Sequence, residues 1–560
     1  MKGAKYNMKM NGAQIIIETL IEQGCDCVFG YPGGAVLNIY DELYKSRDRI
    51  RHIITAHEQG AAHAADGYAR ASGKVGVVFA TSGPGATNLV TGIATAYLDS
   101  TPLVAITGNV PVPLLGRDSF QEVDTLGITM PITKHNYIVK DVCELADTVR
   151  EAFTIAKSGR PGPVLIDVPK DVQAAVCEYT PMSKTEKQAY KKPNEAKINE
   201  VVEFINNSKK PYIYSGGGVV ISEAGDVVRE LAEKIDAYIG FSMMGLSAVS
   251  SENRHCLGMT GMHGRYASTK ANSEADLIIA VGVRFSDRAT GNKVRYSKNA
   301  KVIHIDIDPA EIDKNIPAYI GLTGDIKETL TKIIERVKPL EHMEWRQEVE
   351  KMSADEISFY PEDKILHPKK VIEKVRSYTD DDTVVATDVG QHQMWTAQYY
   401  RFRKARTFLT SGGLGTMGFG MGAAIGGCIA NNEKRTVLFT GDGSFGMNLN
   451  ELATAVSNEL PLIIVIMNNG VLGMVRQWQT LFYEHRYSST TLGRKTDFVK
   501  LAEAFGAHAF RVSDENELDE ALKKAFTING PVLIDCKIDM DENVLPMVPP
   551  GGSIENIIVK

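Results

Sequence analysis

The chain has 560 residues, a formal net charge of −7, 43% hydrophobic and 23% charged residues, enough for about three domains with cores of their own. That charge over this length gives no basis for a nucleic-acid or anionic-membrane partner, and no apolar run reaches the span of a membrane helix. The N-terminus has lysines but only a short Ile15-Ile16-Ile17 run before Glu18, so it is not a secretory signal. Seven scattered cysteines match neither a zinc knuckle nor a redox pair and read as reduced thiols of a cytoplasmic protein, and the twelve histidines show no metal-binding spacing.

Residues 1 to about 180 alternate helical and buried-strand patterns, as a parallel sheet covered on both faces requires. A helix over Gly12–Gln23 leads into strand Val28-Phe29-Gly30 and the turn Tyr31-Pro32-Gly33-Gly34. His57-Glu58-Gln59-Gly60 opens an alanine-rich helix, a composition suited to close packing against a neighbour. Glu58 at its start complements the helix dipole, which is its plain structural reading. Residues 75–109 then run strand, glycine turn (Gly83-Pro84-Gly85), helix, strand.

The polar, proline-punctuated stretch from Thr180 to Lys197 reads as a linker. A second α/β region (195–340) follows, with Gly216-Gly217-Gly218 after a first strand and Asp306-Ile307-Asp308 at a later strand end. Glycines there and a carboxylate there suit a nucleotide, although no full G-x-G-x-x-G is present and an empty Rossmann-like spacer has the same pattern. Residues from about 337 to 368 form a charged helical connector, and a third region spans 365–560.

Within the third region, Thr436 to Asn469 repeats the plan of 75–109. Ala152–Ile155 before Gly162–Asp167 is matched by Ala525–Ile528 before Gly530–Asp535. Two matching blocks in one order indicate a duplicated domain. Where the first copy has Gly83-Pro84-Gly85, the second has Gly441-Asp442-Gly443. Its glycines let a ligand approach the backbone, and the helix that follows aims its N-terminal amides at the same place. Asp442 supplies a carboxylate oxygen and Asn469 an amide oxygen, a donor set suited to Mg²⁺ shared with a diphosphate. A bare Gly-Asp-Gly is otherwise a tight turn with an Asp cap. The spacing of 24 residues to Asn468-Asn469 is the more specific feature, and it resembles the thiamine-diphosphate signature.

On these motifs, and on HEQGAAHAADGYAR, SGGLGTMGFG, GVRFSDRATG and MVRQWQ, the whole chain resembles the acetohydroxyacid synthase (acetolactate synthase) catalytic subunits of the thiamine-diphosphate decarboxylase superfamily. The resemblance implies an α/β fold of three doubly wound parallel-sheet domains. Residues 1–180 would bind the pyrimidine, 195–340 FAD, and 365–560 the diphosphate. It implies decarboxylation of pyruvate and condensation of the two-carbon unit with a second 2-ketoacid, pyruvate or 2-ketobutyrate, the first common step of branched-chain amino acid biosynthesis. A homodimer or homotetramer with active sites at the dimer interface is implied, together with a separate small regulatory subunit.

The same resemblance assigns roles to residues. Glu58 would bond the pyrimidine nitrogen, with Pro84 and Asn88 nearby and Gly34 close to the reacting carbon. Met417 would lie under the cofactor and Gly415 would offer a carbonyl. Gln391 and His392 would contact the diphosphate beside Gly441, Gly443 and Ser444, and Asp442, Asn469 and the Val471 carbonyl would hold Mg²⁺. Arg288 would bind the acceptor carboxylate, Trp478 would favour 2-ketobutyrate, and Met474, Phe120, Gln121 and Lys170 would line the pocket. Without the resemblance, Arg288 reads as a surface arginine and Trp478 as a core aromatic. Arg160, Gly216–Gly218, Met262-His263-Gly264, Gly282, Arg284, Asp306, Ile307 and Asp325 match flavin-contacting positions. Ser286, where Asp is common, and Gly422, where Pro is usual, depart from the pattern. A pyruvate oxidase, which uses the same cofactors to pass electrons to flavin, is the alternative enzyme, and a nucleotide-binding module without catalysis is the alternative outside enzymes.

Overall fold

The computed structural model describes residues 8–183, 192–357, 366–553 and 556–559. Parts of the predicted linker at 180–197 (184–191) and of the connector at 337–368 (358–365) lie outside them. Three six-stranded sheets form, every neighbouring pair within them parallel, plus a two-stranded antiparallel sheet pairing Met8–Asn11 with Val176–Tyr179. The strands read as continuous apolar runs because both faces of each sheet are covered by helices. Leu103–Asn109 and Leu462–Asn468, for example, are buried at every position.

The duplication is visible in topology. Numbered within each domain, the strands of the first and third sheets follow the same order, 2-1-3-4-6-5. The matching Gly-Pro-Val-Leu-Ile-Asp blocks become equivalent strands, Pro163–Pro169 and Val532–Lys537. The middle sheet runs 3-2-1-4-5-6, the doubly wound dinucleotide-binding order. Each sheet therefore has a point where the chain reverses its direction of growth, and crevices for ligands open there at the carboxyl ends of the strands.

The first and third domains pack through the Glu58–Ser72 and Phe419–Ala430 helices. Their backbones nearly touch. A Cβ on Gly426 would lie 1.9 Å from the Ala64 carbonyl, and one on Gly67 would lie 2.3 Å from the Ala423 carbonyl. The small residues of the first helix thus serve the close packing that their composition suggested. Gly422 belongs to the same seam, since any side chain there would meet the Gly60 carbonyl at 2.7 Å.

One sequence expectation needs correction. Cys143 and Cys177 are joined by a disulfide, Cα atoms 5.5 Å apart, which ties the Val176–Tyr179 strand to the start of the Leu145–Lys157 helix. Only Cys25, Cys27, Cys256, Cys428 and Cys536 are free. The scatter of cysteines concealed this because the pair meets only when the strand returns to the domain. The charged connector contains a helix as its pattern suggested, Met343–Ile357, and its Trp345, Val349 and Met352 are buried in the middle domain. After the linker, Asn194 caps the Glu195–Asn207 helix, which starts two residues before the linker was expected to end.

Asp167 sits beneath the first sheet's carboxyl edge, fully buried, accepting from the Thr107 hydroxyl (2.6 Å) and the Asn109 amide. Burial lifts its carboxyl to about 7 against those hydrogen bonds. Because the folded value is raised, its contribution is fully present below the unfolded value near 4 and is lost as pH rises through about 7. The thermal midpoint of the wild type should therefore fall over that window, by an amount set by a few kcal/mol. In Asp167→Asn, melting curves across pH 5–8 should be flatter. An unchanged slope would place the pH dependence elsewhere.

Candidate active site

In the third domain the reversal point lies between strands Val384–Thr387 and Thr436–Gly441. Register pairs Gly441 with Met467 on the next strand, so Asp442 and Asn468-Asn469 leave neighbouring strand ends on one edge. Asp442 opens the Asp442–Asn448 helix, buried, with burial pushing its carboxyl up to about 6. A Cβ on Gly441 would stand 3.0 Å from His392 Nδ1. His392 is buried and held neutral, burial lowering it to about 3, and its Nε2 finds no partner among the described residues.

Gln391 links this group. Its Nε2 donates to Gln477 Oε1 (3.1 Å), and its Oε1 accepts from Asn469 Nδ2 (3.2 Å). The Val471 amide donates to Asn469 Oδ1 (3.2 Å), closing the turn before the Gly473–Phe482 helix. Among the described residues no cluster of three or more His, Cys, Asp or Glu could hold a metal. One carboxylate with an amide oxygen and a backbone carbonyl such as that of Val471 fits a hard cation that keeps most of its oxygen ligands from a diphosphate. Asp442 fits that need, as do Gly441, Gly443 and Ser444 around it.

A cavity of about 1220 Å³ opens where the three domains meet. Gly415, Met417, Met474 and Trp478 of the third domain and Arg288 of the middle domain all line it. The Arg288 guanidinium lies 5.5 Å from the Trp478 ring centroid and 3.6 Å from Met262 Sδ. Arg288 is largely exposed, with one weak ion pair to Asp287 at 3.8 Å. Trp478 Nε1 is a buried donor without a partner among the described residues.

The middle domain's reversal point, between Pro211–Ser215 and Leu277–Val281, forms the other wall. Gly217, Gly218, Gly282, Met262, His263, Arg160, Arg284, Asp306, Ile307 and Asp325 border the cavity, and Ser286 joins them. Gly216 and Gly264 are not on its surface. They serve packing: a Cβ on Gly216 would meet the Gly282 carbonyl at 2.1 Å, and one on Gly264 the Met259 carbonyl at 2.6 Å. Arg284 is held below the usual arginine range by burial and then by nearby Arg160. Arg160 itself is bound to Ser100 and Glu311, each at 2.8 Å. A half-buried guanidinium beside a glycine turn at a Rossmann reversal point fits a dinucleotide's pyrophosphate. Burial raises Asp306 to about 6.

The first-domain residues gather elsewhere. Glu58 is buried at the start of its helix, and its carboxylate accepts from Asn88 Nδ2 at 2.9 Å. A Cβ on Gly85, after Pro84, would lie 3.4 Å from Glu58 Oε1. Gly34 faces open space in the turn that Thr81 fixes through the Ala35 amide (3.2 Å). Gln121, at φ +59°, crosses Gly83, and Phe120 is 88% exposed. Lys170 is exposed at the head of the Lys170–Ala174 helix. None of these lines the large cavity. Within one chain, Glu58, Gly34, Phe120, Gln121 and Lys170 thus lie apart from the cavity that Arg288 and Trp478 line.

Three acidic residues that the motifs did not single out hold the site in shape. Asp388, buried, accepts from the Gly418 amide (2.7 Å) and the Thr440 hydroxyl (3.2 Å), fixing the Met417 loop to the Gly441 strand. Asp99, from the first domain, accepts from the amides of Gly412 (3.1 Å) and Gly413 (2.7 Å) and pairs with Arg70. Glu451 reaches back to the residues before Glu58. An aspartate directly after a strand was the one available sequence signal, and only for Asp388.

Three family models match: "Thiamine pyrophosphate enzyme, N-terminal TPP binding domain" over residues 10–128, "central domain" over 198–333 and "C-terminal TPP binding domain" over 388–536. The probable acetolactate synthase large subunit of Methanocaldococcus jannaschii is 46% identical, covering 98% of this chain and 95% of that protein. The acetolactate synthase isozyme 2 large subunit of Escherichia coli K12 is 45% identical, over 98% of this chain and 100% of its own length. The isozyme 1 large subunit is 45% identical over 97% of each. With all three domains matched and near-complete coverage at this identity, the chain belongs to the acetolactate synthase large-subunit family of thiamine-diphosphate enzymes.

Proposed function

We propose that the chain joins two 2-ketoacids with loss of one CO₂, making 2-acetolactate from pyruvate or 2-aceto-2-hydroxybutyrate when 2-ketobutyrate is the acceptor. The observation that carries this reading is Arg288 standing over Trp478 in a cavity shared with the Gly415–Met417 loop. A cation for a carboxylate, beside an apolar wall of Trp478, Met474 and Met262, is what an acceptor ketoacid needs. Thiamine diphosphate, held with Mg²⁺ by Asp442, Asn469 and the Val471 carbonyl, would supply the thiazolium carbon that attacks the donor ketoacid. FAD would fill the middle-domain wall along Gly217, Gly218, Arg284 and Asp306.

This chain's residues then have distinct tasks. Met417 supports the cofactor's shape, and Gly415 offers its carbonyl to the amino group. Glu58 holds or yields a proton at the pyrimidine ring nitrogen, a role suited to a carboxylate shielded from water. Arg288 orients the acceptor by its carboxylate, and Trp478 and Met474 exclude water while the new carbon–carbon bond forms.

The two half-sites support a dimer in which Glu58 of one copy completes the diphosphate edge of the other. Exposed Tyr31, Leu37, Phe120 and Met130 on the first edge and Leu414, Met447, Val475 and Phe482 on the second are the apolar surface such a partner would cover. Since the relatives are named large subunits, a separate small regulatory subunit is part of this reading.

The test is an anaerobic pyruvate assay on purified protein, with and without thiamine diphosphate, Mg²⁺ and FAD. Acetolactate should appear only with the first two present, without flavin reduction. Acetate or acetyl phosphate with reduced flavin would overturn the reading. Replacing Trp478 by Leu should lower the preference for 2-ketobutyrate over pyruvate by about tenfold or more, since one pocket methylene is worth 1–3 kcal/mol. Competition assays with both acceptors measure it, and an unchanged product ratio would remove Trp478 from the acceptor pocket.

A further inference from the structure

We propose that Glu451 is a positioning residue that sets the place of Glu58 from the opposite domain, an inference resting on the reading of Glu58 given above. Glu451 opens the Glu451–Ser457 helix of the third domain and has no solvent exposure. Its carboxylate crosses to the first domain, where Oε2 accepts from the Ala56 amide (3.2 Å) and Oε1 from the His57 amide (3.0 Å). The Thr454 hydroxyl donates to Oε2 at 2.7 Å.

The two backbone donors are the residues immediately before Glu58, where the chain turns from extended to helical. Gly60 makes the approach feasible, since a Cβ there would stand 2.0 Å from Glu451 Oε1. Downstream, the Ala61 amide bonds the His57 carbonyl (3.0 Å) and the Gln59 amide bonds His57 Nδ1 (3.1 Å). The Glu58 backbone is therefore fixed from both sides, while Asn88 holds its carboxylate.

Three donors converge on Glu451, and an ionised carboxylate, which only accepts, satisfies all of them. Burial raises its pKa, opposed by Thr454 and the two amides. Buried without exposure and absent from the large cavity's lining, it has no surface of its own to offer a substrate. What it controls is the entry angle of the helix bearing Glu58, and a displacement of a fraction of an ångström there is enough to misalign a proton-transfer contact.

Glu451→Gln keeps the volume but presents an amide donor to one of the backbone donors. The test measures deuterium exchange at C2 of thiamine diphosphate bound to the full-length protein, in Glu451→Gln, Glu58→Gln and the double variant. Amide hydrogen exchange over residues 56–61 of the cofactor-free protein is followed alongside. Glu451→Gln should slow C2 exchange by about tenfold and speed amide exchange by a similar factor, as losing one charge-assisted hydrogen bond implies. The double variant should be no slower at C2 than Glu58→Gln alone. Wild-type C2 exchange in Glu451→Gln, or losses that multiply in the double variant, would overturn the proposal. If Glu58→Gln itself leaves C2 exchange unchanged, the reading of Glu58 fails instead. Should Glu451→Gln not fold, Thr454→Val removes only the hydroxyl donor. It should slow C2 exchange by roughly threefold, and wild-type exchange there would count against the proposal.

Discussion

Glu58→Gln is expected to slow acetolactate formation by about 10²–10⁴-fold, the range that removal of a general acid–base group costs. Thiamine diphosphate affinity should change by less than about threefold, since the amide keeps the volume and can still accept from Asn88 Nδ2, now at 2.9 Å from the carboxylate. The split follows from the proposed placement, in which the third domain's edge would hold the diphosphate, whereas Glu58 stands on the first domain with its carboxylate bonded to Asn88. Glutamine can hydrogen-bond a ring nitrogen but cannot pass it a proton at neutral pH. Steady-state rates paired with calorimetric titration of the cofactor separate the two effects, and a rate within about threefold of wild type would end the assignment.

Asp442→Asn should weaken Mg²⁺-dependent retention of thiamine diphosphate by about 10²-fold or more, as removing one partner of a buried ion pair costs several kcal/mol. Asp442 is the only carboxylate at that strand edge proposed as a ligand, and no cluster of other acidic or imidazole groups stands ready to replace it among the described residues. Burial lifts its carboxyl to about 6, so a proton competes with the metal below that pH. Cofactor loading in the wild type should strengthen as pH rises through about 6, and the asparagine variant should lack that step. Equilibrium dialysis of the cofactor at pH 5.5 and 7.5 measures both. Equal retention by variant and wild type would show that the metal is held elsewhere.

The glycine turns are legible in the sequence because strand, turn and helix N-terminus form one local unit. Gly441 to Ser444 needs only its own neighbours to create a ligand-accepting corner, and the register to Asn469 follows from one crossover. The duplicated blocks are legible for the same reason, each folding to the same strand position in its sheet. The flavin-side glycines were only partly legible. Gly216 and Gly218 look alike in a Gly-Gly-Gly run and both pack on the Gly282 backbone, yet of the two Gly218 alone also borders the cavity. The disulfide between Cys143 and Cys177 escaped notice because nothing in the spacing of cysteines encodes which loops meet.

By itself, then, the order of amino acids determined the alternating elements, the duplication, the carboxylate in only one of its two turns, and the family. These depend on hydrophobic period and on turn chemistry within a few residues. Tertiary structure alone decided that Glu451 reaches His57 across 394 positions, that Asp99 holds Gly413, and that Arg288 covers Trp478. Such contacts arise where rigid domains pack on one another. Their partners share no periodicity, and the energy that selects them comes from burying whole helix faces rather than from any signal near either residue in the chain.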